Sequence, residues 1–159
     1  MPYQELGQAQ VQLSNELWKV FKRAGEIAKE REIFPTNVDC MLLALLENDD
    51  VKLAFLEAGA DPQVVERNIK SWFSPNTDDP PEAGNDFNFE SPIGTGCIKK
   101  AYELRELFCL GTNEITLPLW FLAMVNEVRE NDPETVEMFE GLIDFEELEK
   151  AAILLTAES

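Results

Sequence analysis

A short apolar helix pattern occurs twice in this chain, and the repetition restricts the possible fold more than any single residue does. The first copy covers residues 38–46, where apolar side chains recur at intervals of three and four residues after Asn37. This spacing is typical of a helix with one face in a core, and an asparagine before it can accept a hydrogen bond from a first-turn amide. The second copy covers residues 117–125 and follows Thr116.

The segments after the two copies also correspond. After the first copy, Asp50 is expected to start a second helix, Gly59 to end it, and Asp61 with Pro62 to start the next. Glycine tolerates the left-handed conformation that follows many helices, and proline fits the first helical position. The aligned pairs are Leu56 with Phe139, Asp61 with Asp144, Val65 with Leu148, and Ile69 with Ala152. We therefore predict an all-α fold of about eight helices, in two four-helix repeats related by a pseudo-two-fold axis.

Composition suggests where the repeats begin and end. Residues 1–13 are polar and rich in glutamine, so we expect a flexible lead. Residues 14–155 are expected to form one double-repeat domain, with repeat one at 14–73 and repeat two at 91–155. The intervening linker, residues 74–90, is rich in Pro, Asp, Asn and Gly, which favour irregular structure.

Helical spacing also predicts which side chains face the core. The expected core positions are Leu17, Val20, Phe21, Ala24, Ile27 and Ala28 in the first helix, and Val64, Val65, Ile69 and Trp72 in the fourth. Ser14 is expected to cap the first helix, and Ser91 with Pro92 to open the fifth.

The charge of the chain limits its partners. A formal net charge of −18, from 31 acidic and 13 basic residues, argues against binding of nucleic acid or an anionic membrane through a basic patch. It permits basic protein partners, although most acidic side chains on helices only keep a surface solvated. No apolar run approaches the ~18–20 residues of a membrane span, and the N-terminus has no signal-peptide pattern.

The residues available for catalysis are few. The chain has no histidine, which removes Ser-His and Cys-His catalysis and every histidine-ligated metal site. Cys40, Cys97 and Cys109 lie in apolar helical patterns and are expected to be reduced thiols of a cytoplasmic monomer. Residues 93–100 contain two glycines and two lysines but lack the spacing of a phosphate-binding loop, and no Walker motif occurs. We predict a non-enzyme without a cofactor or metal.

The order and spacing of the repeat resemble the N-terminal domain of the Clp/Hsp100 ATPases, the double Clp-N repeat of ClpA and ClpC. The resemblance is carried by residues 37–46, by residues 53–61 and by the start of each repeat, Leu13-Ser14 and Ser91-Pro92. It covers residues 13 to 155 and does not include the AAA+ ATPase modules. The resemblance implies a module that binds protein substrates, or an adaptor, for an AAA+ unfoldase or protease.

The resemblance also implies specific site residues. In ClpC-like members, a threonine and a glutamate of each repeat bind phosphorylated arginine, and the matching positions here are Ser14, Asp39 and Ser91. Because Pro118 replaces the second glutamate, the likeness is closer to ClpA. The alternative interpretation of these residues is ordinary helix capping for both serines and a first-turn acid for Asp39.

Aromatic residues near the linker complete the predicted binding surface. A groove is expected between the two halves, with Trp72, Phe73, Phe87 and Phe89 contributing to it. The alternative for the three tryptophans, Trp18, Trp72 and Trp120, is packing in the core. A second functional hypothesis is a stand-alone acidic inhibitor or decoy that binds a basic protein surface. An adjoining AAA+ coding region would favour the recognition module over the inhibitor.

Overall fold

Helices make up most of the described chain. The computed structural model describes residues 3–6, 9–34, 36–72, 76–77, 96–107 and 114–158. The helices are α1 (Asn15–Glu30), α2 (Val38–Leu45), α3 (Asp49–Glu57), α4 (Pro62–Trp72), α5 (Ile98–Leu107), α6 (Leu117–Asn131), α7 (Pro133–Met138) and α8 (Phe145–Glu158). The strands are β1 (Tyr3–Leu6), β2 (Ala9–Gln12), β3 (Ile33–Phe34) and β4 (Asn76–Thr77). The predicted all-α class with eight helices is confirmed, and the strands are short additions to it.

The helix caps follow the repeat. The Asn37 side chain accepts a hydrogen bond from the Cys40 amide at 3.0 Å, and Thr116 accepts one from the Leu119 amide at 3.4 Å. Each oxygen satisfies an amide that has no partner within its helix. Asp61 and Asp144 likewise accept from first-turn amides of α4 and α8. The two repeats therefore start their second and fourth helices in the same way.

One helix start differs from the prediction. Asn48, rather than Asp50, stands before α3, and its side chain accepts hydrogen bonds from the amides of Asp50 and Val51 at 2.9 and 3.1 Å. An asparagine two residues earlier satisfies both amides at once, so α3 begins at Asp49.

Aromatic contacts join the two repeats into one core. The rings of Phe21 in α1 and Trp120 in α6 meet edge to face with centroids 4.9 Å apart. The rings of Phe55 and Phe121 stack at 6.0 Å. All four side chains are fully buried, and such pairs add to the stabilisation from buried area. The predicted core face of α1 is buried in full, and Trp120 is a core residue, as expected.

The two halves are not equivalent everywhere. Leu56 is 56% exposed on α3, whereas Phe139, its aligned partner in repeat two, is completely buried. Leu53 is exposed to the same extent as Leu56. In repeat two, Phe139 directly after α7 enters the core, whereas α3 packs against α8 and leaves these two leucines in solvent.

The N-terminal segment corrects a sequence expectation. Residues 1–13 were expected to be a flexible lead, but β1 and β2 form an antiparallel hairpin, and Leu13 is completely buried. The amide of Ile115 donates to Gln12 at 2.9 Å, and the amide of Ser14 donates to Ile115 at 3.1 Å. Ile115 lies in repeat two, so the polar composition of residues 1–13 gives no indication of this pairing.

Most of the linker and the start of repeat two lie outside the described residues. Within the linker, β4 pairs in parallel with β3, so Asn76 and Thr77 have strand partners that the composition did not predict. The predicted start of the fifth helix at Ser91 and Pro92 lies outside the described residues; α5 is described from Ile98. None of the described helices is long and apolar enough to cross a membrane.

Candidate functional site

Ser14 acts as a helix cap in the structure. Its hydroxyl oxygen accepts a hydrogen bond from the Leu17 amide at 3.2 Å, and its own amide donates to Ile115. Asp39 lies half-buried in the first turn of α2, where the helix dipole favours a carboxylate. Both positions therefore have a structural role, and their part in binding stays a prediction.

Trp72 lies at the seam between the repeats. Its ring meets Phe139 edge to face with centroids 5.2 Å apart, and the side chain remains partly exposed. This geometry places one edge of the indole in the core. The other predicted groove residues, Phe73, Phe87 and Phe89, and the capping residue Ser91, lie outside the described residues and remain predictions.

An open cleft lies in repeat two. It has a volume of about 860 Å³ and lies between the end of α6, α7 and the start of α8, with Ala58 and Gly59 of repeat one at its edge. We call it the repeat-two cleft. Clefts of ~300–1,000 Å³ are typical of binding sites.

Local sequence explains why the cleft forms. α6 runs to Asn131, well beyond the length of α2, and Asp132 then caps α7, accepting from the Thr135 amide at 3.2 Å. Gly141 follows α7 with φ of +84°, a conformation that glycine adopts without steric cost. The long α6 and the glycine turn hold α7 away from α8, and the cleft is the space between them.

The inner lining of the cleft is apolar. Ile143 and Phe145 are 6% and 5% exposed and belong to the core, whereas Val136 and Leu142 are half-buried and present apolar surface to the cleft. α7 itself contains no fully buried residue. One wall of the cleft is thus held by fewer core contacts than the opposite wall on α8.

The outer lining is acidic. Its carboxylates are Glu137, Glu140, Asp144 and Glu146, all exposed. Arg129 also lines the cleft, but it forms an ion pair with Glu149. The other carboxylate oxygen of Glu149 accepts a hydrogen bond from the Asn126 side chain at 3.1 Å. The guanidinium is therefore already neutralised by a carboxylate of α8.

The four acids of the cleft are not equally available. Asp144 accepts hydrogen bonds from the amides of Glu146 and Glu147 at 3.1 and 3.3 Å. A hydrogen bond to Glu147 raises the pKa of Lys150, and the charges of Glu147, Glu146 and Asp144 add to that increase. Glu137 and Glu140 have no ion pair within the part of the chain that the structure describes.

A smaller cleft occupies the corresponding place in repeat one. It has a volume of about 330 Å³ and includes Asp61 and Pro62, the counterparts of Asp144 and Phe145. Its lining combines Lys52 with two acids, Asp61 and Glu66. The two clefts share their position in the repeat and differ in size and charge.

The described residues contain two thiols and no cluster of metal-binding side chains. Among them, no group of three or more His, Cys, Asp or Glu side chains is placed to hold a metal ion. Cys40 and Cys97 are buried free thiols, and burial raises the pKa of Cys97, with the charge of Glu127 adding to the effect. A thiol with a raised pKa is a poor nucleophile. Cys109 lies outside the described residues.

The sequence alone does not indicate the repeat-two cleft. Two signals were available: the second copy is longer after residue 125, and a glycine, Gly141, precedes the capping Asp144 as Gly59 precedes Asp61. Neither signal predicts a cleft without the positions of α6 and α8 relative to each other.

Comparisons with known proteins bear on the fold. No protein-family profile matches the chain, and a comparison with curated proteins finds no similar sequence. The crystal structure of the Hsp104 N-terminal domain from Candida albicans matches with a TM-score of 0.71 and 15% identity, over 93% of each chain. The N-domain of ClpV from Vibrio cholerae matches with a TM-score of 0.65 and 22% identity, over 93% of this chain and 87% of that one. The chain therefore has the fold of the Clp-type N-terminal domains, which confirms at the level of the fold the resemblance seen in the repeat.

Proposed function

We propose that the chain is a non-catalytic module that recognises proteins, binding substrates or an adaptor for an AAA+ unfoldase of the Clp type. The observation that carries the proposal is an open, partly apolar cleft on a Clp-type N-terminal fold. The buried reduced thiols of Cys40 and Cys97 support a cytoplasmic protein, and we propose a monomer.

The net charge favours a second candidate, an acidic inhibitor that covers a basic surface of a folded protein. The charge of −18 gives strong attraction to any cationic protein at low salt. The two functions differ in what they recognise: a recognition module for an unfoldase binds exposed polypeptide, whereas an inhibitor binds an intact surface.

One binding experiment separates the two. Labelled ribonuclease A, a small basic protein, is offered in its native form and in a reduced, carboxamidomethylated form that cannot refold. Both forms carry nearly the same charge. A recognition module binds the unfolded form at least about tenfold more tightly, a difference of about 1.4 kcal/mol. Equal affinities indicate attraction through charge alone and favour the inhibitor, and no binding of either form contradicts both proposals.

A further inference from the structure

We propose that the repeat-two cleft binds a short extended segment of a partner protein in which basic side chains flank an apolar one. This inference rests on the proposed recognition function and names the ligand chemistry of that site. It is argued from the lining of the cleft, from the pairing of its charged groups and from its difference from the cleft of repeat one.

The apolar anchor follows from the inner lining. Val136 and Leu142 are half-buried and pack against the core, and Phe145, a core residue, also lines the cleft. A partner side chain that covers this surface removes apolar area from water, which is the main favourable term in such contacts. A purely polar ligand would leave the same surface without a complementary group.

The basic flanks follow from the charges that remain available. Arg129 is neutralised by Glu149, and Asp144 already accepts two backbone amides. Glu137 and Glu140 are exposed and form no ion pair with another described residue. A lysine or arginine on the partner supplies the missing opposite charge, and such pairs at a rim determine specificity and the rate of encounter.

The cleft of repeat one does not share this preference. There Lys52 forms an ion pair with Asp49, Glu66 forms one with Lys70, and Asp61 accepts a hydrogen bond from the Gln63 amide. Each charged group of that lining therefore already has a partner, unlike Glu137 and Glu140. That cleft has a volume of about 330 Å³, against about 860 Å³ in repeat two. The charge and size of the two clefts therefore assign the basic segment to repeat two.

The wall formed by α7 suits a ligand of variable sequence. α7 is six residues long and has no fully buried side chain, so small shifts of this helix disturb few core contacts. Segments with few buried contacts open at low free energy. The opposite wall is provided by α8, which Phe145, Leu148 and Ala152 anchor in the core, and it is the fixed side.

The test uses a defined probe, a fluorescein-labelled nonapeptide of alternating lysine and leucine between terminal glycines. Two control peptides replace every lysine with glutamate or every leucine with serine. Fluorescence anisotropy is measured against the full chain at low and high salt. We expect saturable binding of the first peptide that weakens with salt, and at least about fivefold weaker binding of each control.

Two double variants locate the binding. The cleft variant, Glu137→Gln with Glu140→Gln, removes two charges from the cleft. The matched control, Glu16→Gln with Glu103→Gln, removes two exposed charges from α1 and α5, two helices that do not line the cleft. We expect the cleft variant to weaken binding about fivefold or more, and the control by less than about twofold. Val136→Thr, which keeps the shape of the side chain, is expected to weaken binding without altering its salt dependence.

Three outcomes overturn the inference. Equal loss in both double variants shows attraction to net charge only, and no loss in either places the peptide elsewhere. The third outcome is failure to bind the lysine and leucine peptide while unfolded ribonuclease A is still captured. That result rejects the ligand proposed for this cleft and leaves the recognition function intact, whereas failure to bind both probes rejects the recognition function itself.

Discussion

Leu45 and Leu53 lie on successive helices in opposite environments. Leu45 of α2 is fully buried, and Leu53 of α3 is 56% exposed. Leu45→Ala is expected to lower the free energy of unfolding by about 2–5 kcal/mol, because a buried cavity remains. The matched change Leu53→Ala is expected to cost no more than about 0.5 kcal/mol. Urea denaturation checks both, and similar losses in the two variants would show that the orientation assigned to α2 is wrong.

The ionisation of Cys97 makes the free energy of unfolding depend on pH in the alkaline range. Burial raises the pKa of its thiol above the ordinary value of 9.0, and the charge of Glu127 raises it further. Below pH 9.0 the thiol is protonated in both the folded and the unfolded chain, so its ionisation takes nothing from the free energy of unfolding. Above that pH only the unfolded chain loses the proton, and the free energy of unfolding falls by up to about 1.4 kcal/mol per pH unit.

The variant Cys97→Ala removes this titration. Its free energy of unfolding is expected to be lower near pH 7, because the buried sulfur is lost, but to fall less steeply than that of the original chain between about pH 9 and 10.5. Denaturant titrations at several pH values give both slopes. Parallel slopes would mean that Cys97 ionises as readily in the folded chain as in the unfolded one.

At the scale of elements, α6 connects most of the structure. It packs against α1, α5, α7 and α8, and Thr116 caps its N-terminus. Thr116→Ala is expected to cost about 1 kcal/mol of unfolding free energy, whereas Thr116→Ser keeps the acceptor oxygen and most of the stability. Thermal denaturation compares them. If the alanine and serine variants melt together, the cap contributes little to α6.

Helix starts and buried faces could largely be predicted from the sequence, because caps and apolar spacing act within one or two turns. Asn37 and Thr116 cap α2 and α6 as expected, and the predicted face of α1 is buried. Pairings across the chain could not be predicted in this way. Leu13 is buried by its bridge to Ile115, and neither residue has a local pattern that indicates the other.

The site was harder to predict than the fold. A cleft is the space between elements, and its size depends on where α6 ends and how Gly141 redirects the chain toward α8. The exposed Leu56 and the buried Phe139 occupy aligned positions, so the repeat itself does not indicate which half forms the larger cleft.

At the scale of the whole molecule, the two repeats are expected to unfold together. The pairs of Phe21 with Trp120 and of Trp72 with Phe139 cross between them, so neither half keeps its core alone. Tryptophan fluorescence and far-ultraviolet circular dichroism should give one shared midpoint in urea, as for a two-state domain. Two separated transitions would show that the repeats are independent folding units.

The central claim is that the chain recognises exposed polypeptide through the repeat-two cleft, and nuclear magnetic resonance tests it most directly. The ¹⁵N-labelled chain is titrated with the lysine and leucine peptide while the amide signals of Gly59 and Gly141, both at the cleft, are followed. We expect saturable shifts at these glycines and along residues 133–146, with the amides of Gln63 and Glu66 in the smaller cleft unchanged. Shifts confined to other surfaces, or none at saturating peptide, would contradict the claim.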